Sequence, residues 1–273
     1  MTTTSNTNHP AGKYAPINGI NLYYELHGTG EPLIMLHGGF GTFDMFAALS
    51  PTLAQNHQII GVDLYGHGRT ALTDRPFDFE HLADDIAGLI EHLGLETADL
   101  LGYSFGGAVA LQAAIRHPEQ IDKLVVISTP FKRTGWHPEM QAGMASTSPE
   151  FFLGTPMHEA YMRVAPKPED FSRFVATMRE GMSQDYDWRE QVAALKKNTL
   201  IIAGDSDGLP PSHAVEFFNL LGGGLRDAGW NGENLIPSQL AILPGATHYN
   251  IIFRPDLLLP VLSPFLGGTQ AQE

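Results

Sequence analysis

No cysteine occurs in the 273 residues. That excludes a disulfide scaffold, a thiol nucleophile, a thiolate zinc site and cysteine-ligated iron–sulfur clusters. Basic residues are scarce as well: 16 Lys and Arg stand against 30 Asp and Glu, a formal net charge of −14. A chain this acidic repels phosphate backbones and anionic lipid, so no nucleic acid and no membrane surface is expected as a partner. Long apolar runs are missing too. The most hydrophobic stretch, residues 257–266, carries Pro260 and Pro264 and is far shorter than a bilayer span. Residues 1–12 are polar and lack the basic and apolar blocks of a secretory signal; they read as a disordered tail on a cytoplasmic protein.

What is present is a rhythm. Short apolar strands alternate with helix-period segments, the pattern of a mostly parallel sheet covered by helices on both faces. Residues 13–27 predict two antiparallel strands turning at Asn18-Gly19. Buried strands are predicted at 32–36, 58–63, 98–102, 123–128, 199–203 and 239–243. Helices are predicted at 80–93, stopped by Gly94, and at 104–117, 212–221 and 255–266. Between 130 and 188 the strands vanish, and Met, Phe, Pro and helix formers take over, with helices predicted at 156–164 and 168–182. The simplest account is a core at 13–130 and 189–273, with a helical lid at 131–188 whose Met and Phe need something to cover. A second long connection, residues 222–237, either borders the same pocket or is a surface excursion.

The sharpest chemical signal is Gly102-Tyr103-Ser104-Phe105-Gly106-Gly107, with an apolar strand before it and an Ala-rich helix after it. A strand-to-helix turn this tight needs small residues on either side of Ser104 and lifts its hydroxyl above the sheet edge. The Phe105 N–H then sits at a helix start, where free donors and the positive dipole end favour an oxyanion. A serine hydroxyl needs a base, and the base an orienting carboxylate. Both come in order after predicted strands: Gly204-Asp205-Ser206-Asp207-Gly208, then Gly245-Ala246-Thr247-His248. Loops at the C-terminal ends of parallel strands converge on one crevice, so Ser104, an Asp and His248 can meet there.

On these residues the sequence resembles the α/β-hydrolase fold family, in particular its esterase, cofactor-free perhydrolase and lactonase-like members. The likeness runs from about Gly19 to Leu266. Beyond the elbow it rests on His37-Gly38-Gly39, on the segment from Gly61 to Arg69 with Asp63, His67 and Gly68, and on the Gly204-x-x-Asp207 and Gly245-x-x-His248 turns. The resemblance implies an α/β fold with an eight-stranded, mostly parallel sheet. It also implies Asp207, rather than Asp205, as the acid, and a second oxyanion donor at the Gly39 N–H, with Phe40 as the neighbouring candidate. Asp205 then reads as a turn-former, His37 as a structural histidine beneath the site, and Asp63 to Arg69 as loop architecture.

No metal is expected: there is no His-x-His and no His-Glu-x-x-His. No cofactor is expected either, because neither a P-loop nor a complete Gly-x-Gly-x-x-Gly occurs. Phe40, Phe131, Trp136, Met140 and Met157 are the expected pocket wall. The function expected is that of a serine carboxylic-ester hydrolase working through an acyl-enzyme. Its partner would be a small, neutral, fairly hydrophobic ester or lactone, with acyl-homoserine lactones and pyrethroid-type esters as narrower targets. Three other readings share the scaffold: a perhydrolase with the same triad, a C–C bond hydrolase or amidase, and a binding protein without turnover. The C–C reading calls for polar or basic lid groups that the sequence does not display.

Overall fold

The computed structural model describes residues 12–267; the predicted tail falls outside them except for Gly12. β1 (Lys13–Ile17) and β2 (Ile20–His27) form the expected hairpin. Asn18 (φ 47°) and Gly19 (φ 82°) both adopt the left-handed conformation whose turn matches the twist of paired strands. The remaining strands are β3 (Glu31–Leu36), β4 (His57–Asp63), β5 (Ala98–Tyr103), β6 (Ile121–Ile127), β7 (Asn198–Ser206) and β8 (Gln239–Thr247). They form one eight-stranded sheet in the order β1-β2-β4-β3-β5-β6-β7-β8. β2 runs antiparallel to β1 and β4, and every other pairing is parallel.

The helices, in chain order, are α1 (Ser50–Leu53), α2 (Phe79–His92), α3 (Phe105–Arg116), α4 (Pro138–Ser146), α5 (Pro149–Phe152), α6 (Pro156–Val164), α7 (Phe171–Ser183), α8 (Arg189–Ala194), α9 (Pro211–Leu220) and α10 (Pro255–Leu266). Side chains on successive strand residues point to opposite faces, so a strand buried on both sides feeds two cores. In β3, Ile34 and Leu36 join the cluster under α2 and α3, while Leu33 and Met35 join Phe46, Leu258 and Leu262 under α10. α2 begins where Asp78 accepts from the His81 N–H at 2.8 Å, and it buries Leu82, Ile86, Leu89 and Ile90 as one stripe.

The chain runs from β3 to β4 on one side, then crosses over to β5 on the other. The strand order therefore reverses beside β3, and the loops after β3 and β5 diverge there and leave a crevice. The helical insertion, α4 to α8, connects β6 to β7. Its two ends pair with each other. The Trp188 N–H donates to the Phe131 carbonyl (3.0 Å) and the Arg133 N–H to that of Tyr186 (2.9 Å). Glu216 on α9 pins both ends, accepting from Lys132 (2.9 Å) and Arg189 (2.9 Å).

The helix predicted at 168–182 divides into a single 3-10 turn, Pro168–Asp170, and α7. The short helices α4, α5 and α8 leave no clear mark in the hydrophobic pattern. α4 buries no residue and so carries no apolar stripe. Residues 222–237 form no helix or strand. Leu225, Trp230 and Leu235 project into solvent there, and the segment does not line the crevice.

Candidate active site

Ser104 ends the turn between β5 and α3 with φ 52° and ψ −117°. A side-chain-bearing residue adopts this conformation only when its surroundings impose it. Here the imposing contacts are backbone to backbone. A Cβ on Gly102 would run into the Gly106 backbone, and one on Gly106 into the carbonyls of Leu36 and His37. The Ser104 N–H donates to the Ile127 carbonyl at 2.9 Å, and the Ser104 carbonyl accepts from the Thr129 hydroxyl at 2.8 Å. The peptide groups on both sides of Ser104 are thus fixed by the residues at the end of β6 and just after it.

Ser104 Oγ lies 3.0 Å from His248 Nε2. His248 Nδ1 lies 3.0 Å from Asp207 Oδ1. The Asp207 carboxylate is fully buried and is met by further donors: the Gly208 N–H on Oδ1 (2.6 Å), and the Gly204 N–H (2.9 Å) and Ser128 hydroxyl (2.5 Å) on Oδ2. Burial pushes this carboxyl up. The hydrogen bonds from His248, Ser128 and Gly204 outweigh it and hold the group below the usual carboxylate range. Asp205 is exposed instead and accepts from the Gly245 N–H at 3.0 Å, stapling the β7 and β8 turns together. Of the two carboxylates considered from sequence, it is Asp207 that reaches His248.

His248 is flanked edge-on by Trp136 (ring centroids 5.3 Å) and Tyr249 (5.7 Å). The Tyr103 hydroxyl donates to the His248 carbonyl. Burial, then the Asp207 charge, raises the pKa of that phenol, so it stays protonated as a donor. The Gly38 to Gly41 turn closes with a Gly41 N–H to Gly38 carbonyl bond of 3.1 Å, and Phe40 sits in it at φ 61°. Gly39 lies against the first residue of α3: a Cβ built on it would be 3.7 Å from the Phe105 Cβ. Gly39 and Phe105 therefore border the same space in front of Ser104. Phe105, as the first residue of its helix, has an N–H with no intrahelical acceptor.

Beneath the site, His37 is fully buried, bonded through Nδ1 to the Gly38 carbonyl (2.7 Å) and through Nε2 to the Leu64 N–H (3.0 Å). Burial lowers its pKa, so it is a neutral brace for the loop carrying Gly39. Asp63 gathers the Phe43 N–H (2.9 Å), the Arg69 N–H (3.0 Å) and the Arg69 guanidinium (2.9 Å). That network shapes the neighbouring loop and does not touch Ser104 or His248.

A cavity of about 570 Å³ opens over Ser104 and His248. Phe40, Trp136, Met140 and Met157 line it, as expected from sequence; Phe131 does not. The Phe131 ring is fully buried and turns away to stack on His213 of α9 (4.5 Å, 20°), with Phe217 edge-on beyond. It belongs to the base of the insertion. Phe79, Met182 and Tyr249 line the cavity without having been foreseen. Five of the nine methionines border it, a soft and adaptable wall. Among the described residues no Lys or Arg lines the cavity. No group of three or more His, Asp or Glu among them is placed to hold a metal ion, and no helix is long and apolar enough to cross a membrane.

Ser128 and Thr129 are polar residues of the site that no sequence motif singles out. Ser128 is fully buried with φ 53°. Nothing in a Ser-Thr pair after a strand signals that one hydroxyl serves the acid and the other the elbow.

Comparison with known proteins agrees with this fold. Residues 31–155 match the family model of the alpha/beta hydrolase fold. The AB hydrolase superfamily protein YisY of Bacillus subtilis (strain 168) is 31% identical over 217 residues, 70% of this chain and 80% of that protein. The 2-hydroxymuconate semialdehyde hydrolase of Pseudomonas sp. (strain CF600) is 36% identical over 118 residues, 41% of each chain. Among solved structures, E-2-(acetamidomethylene)succinate hydrolase superposes with a TM-score of 0.73 at 22% identity, covering 94% of this chain and 99% of that one. The chain belongs to the α/β-hydrolase fold family. Its relatives there include hydrolases of varied substrates.

Proposed function

We propose that this hydrolase is a serine carboxylesterase acting on neutral, fairly hydrophobic esters or lactones. The observation that carries the reading is the unbroken relay from Ser104 Oγ to His248 Nε2 (3.0 Å) and from His248 Nδ1 to Asp207 (3.0 Å), at the floor of an apolar cavity.

In the proposed mechanism His248 Nε2 takes the Ser104 proton as Oγ attacks the acyl carbon. The carbonyl π electrons move onto oxygen, where the Gly39 and Phe105 N–H groups stabilise the charge. Collapse breaks the bond to the alcohol, which leaves with the proton from His248. Water then attacks the acyl-enzyme, giving its proton to His248, and the second collapse releases the acid and returns the proton to Ser104. Asp207 stays ionised throughout, holding the imidazole in the productive tautomer and offsetting its charge while it is protonated. The insertion acts as a lid that keeps the reacting carbonyl away from bulk water.

The relatives also support a C–C bond hydrolase reading, since one of them is named as a semialdehyde hydrolase. A carboxylate-bearing substrate, however, would meet no Lys or Arg in this cavity. That contrast favours the ester. The test is a panel of p-nitrophenyl esters of increasing chain length, with lactones, a dienol acid, and peroxide with halide as the other arms, run on the native enzyme and Ser104→Ala. Turnover of the neutral esters, lost by several orders of magnitude in Ser104→Ala, is the expected result. Equal rates in both proteins would sink the proposal.

A further inference from the structure

The acid of the relay lies on the β7 turn and the nucleophile on the β5 turn, and these strands are not neighbours in the sheet: β6 separates them. Something on β6 must therefore set how the two turns stand relative to one another. The residues at its end do so in succession. The Ile127 carbonyl accepts from the Ser104 N–H (2.9 Å), the Ser128 hydroxyl donates to Asp207 Oδ2 (2.5 Å), and the Thr129 hydroxyl donates to the Ser104 carbonyl (2.8 Å). Between them, the Ser128 N–H donates to the Ile202 carbonyl of β7 at 2.8 Å, which fixes the backbone that carries the hydroxyl.

Ser128 is an odd residue for its place on structural grounds alone. Its backbone is left-handed, φ 53°, a region that suits glycine, and it is fully buried. A burial site of this kind would be better filled by glycine, or by alanine, unless the hydroxyl has a partner that matters. Its partner is the carboxylate oxygen that His248 does not use.

The geometry points to Ser128 as a positioning residue for the proposed reaction: its hydroxyl locks the Asp207 carboxylate in the rotamer that presents Oδ1 to His248. This rests on the serine-hydrolase reading and extends it to a residue that does not touch substrate. A single hydroxyl proton is given to Oδ2, and the Gly204 N–H to the same oxygen, so rotation of the carboxylate would break both bonds at once. The donation also favours the ionised acid. The titratable groups that face Asp207 are His248, from the turn after β8, and Tyr103, on β5.

The experiment compares Ser128→Ala and Ser128→Gly, each alone and combined with Asp207→Asn. Both substitutions remove the hydroxyl, and the glycine variant suits the left-handed backbone, so it reports on the hydroxyl even where alanine is strained. In the native background kcat for a p-nitrophenyl ester falls about 10- to 100-fold, the usual worth of a hydrogen bond to a buried charge, with KM within about twofold. The acid limb of the pH–rate profile moves to higher pH, because the carboxyl loses a donor that favoured ionisation. In the Asp207→Asn background the same change costs about twofold or less, because the group that Ser128 positions is already gone. Two results overturn the proposal: Ser128→Gly keeps the native kcat with an unmoved acid limb, or Ser128→Gly costs the same factor in both backgrounds. Failure of the underlying reading looks different, because Ser104→Ala would then hydrolyse the ester as fast as the native protein.

Discussion

Replacing Asp207 with asparagine changes one atom's chemistry and nothing of its shape, and the surroundings of the carboxylate set the outcome. All four of its partners present hydrogens: His248 and the Gly208 N–H to Oδ1, Ser128 and the Gly204 N–H to Oδ2. An amide has one accepting oxygen, so its NH2 must face one of these pairs. Facing Ser128 and Gly204, it meets a hydroxyl that can turn and an N–H that cannot. Facing His248 and Gly208, it drives Nδ1 to accept, and the imidazole proton moves to Nε2, the nitrogen that must be bare to take the Ser104 proton. Either way a buried donor is left unpaired, at about 1–3 kcal/mol of stability. In the second orientation the base is lost as well, and a wrong-tautomer triad loses about 10⁴-fold in turnover. At about 1.36 kcal/mol per factor of ten, that is about 5.5 kcal/mol of transition-state stabilisation. The assay is initial rates on p-nitrophenyl butyrate for the native protein, Asp207→Asn and Asp205→Asn, with thermal melts alongside. Asp205→Asn should stay within about tenfold of native, since its partner is the exposed Gly245 N–H. An Asp207→Asn enzyme within tenfold of native, or an Asp205→Asn enzyme with the larger loss, would refute the argument.

Gly106→Ala should cost about 3 kcal/mol or more and fail to give a soluble native fold, because its Cβ would strike two backbone carbonyls that cannot yield; a chemical denaturation curve reads this. Phe131→Ala should cost about 3–5 kcal/mol in the same experiment while leaving acyl-chain preference unchanged, whereas Met140→Ala should shift that preference at little cost in stability. Asp99 is pushed up to about 6 by burial, which the neighbouring Lys123 only partly offsets. Its folded value exceeds the unfolded one of about 3.9, so the folded state binds the proton more tightly, and stability falls as pH rises from about 4 to about 6. Asp99→Asn should therefore raise the stability read from urea denaturation at pH 8, by about 2–3 kcal/mol, and give no advantage at pH 4.

Much of this was legible before the structure, for physical reasons that differ by element. The elbow announces itself because only glycine fits where two backbones touch, and the strand before it and helix after it have opposite periods. α2 and α3 are readable because one carries an apolar stripe and the other is apolar nearly all round. β7 and β8 run three and four residues past their predicted ends, because pairing resumes beyond an irregularity between Gly204 and Ser206 that no hydrophobic pattern marks. The direction in which an aromatic ring faces is likewise invisible: Phe131 and Trp136 are both buried in the same segment, yet only Trp136 turns toward Ser104. Ser128 depends on which strand lies between two others, a property of topology that its neighbours in sequence do not encode.

Because the relay draws one side chain from the end of each of β5, β7 and β8, no subset of the molecule can assemble it. A chain that has zipped only its first strands holds a strained serine with nothing to activate it, and recovery of turnover after denaturation should lag behind recovery of helical signal. Enzymatic rate is thus a readout of the last step of renaturation, and a far stricter one than ellipticity.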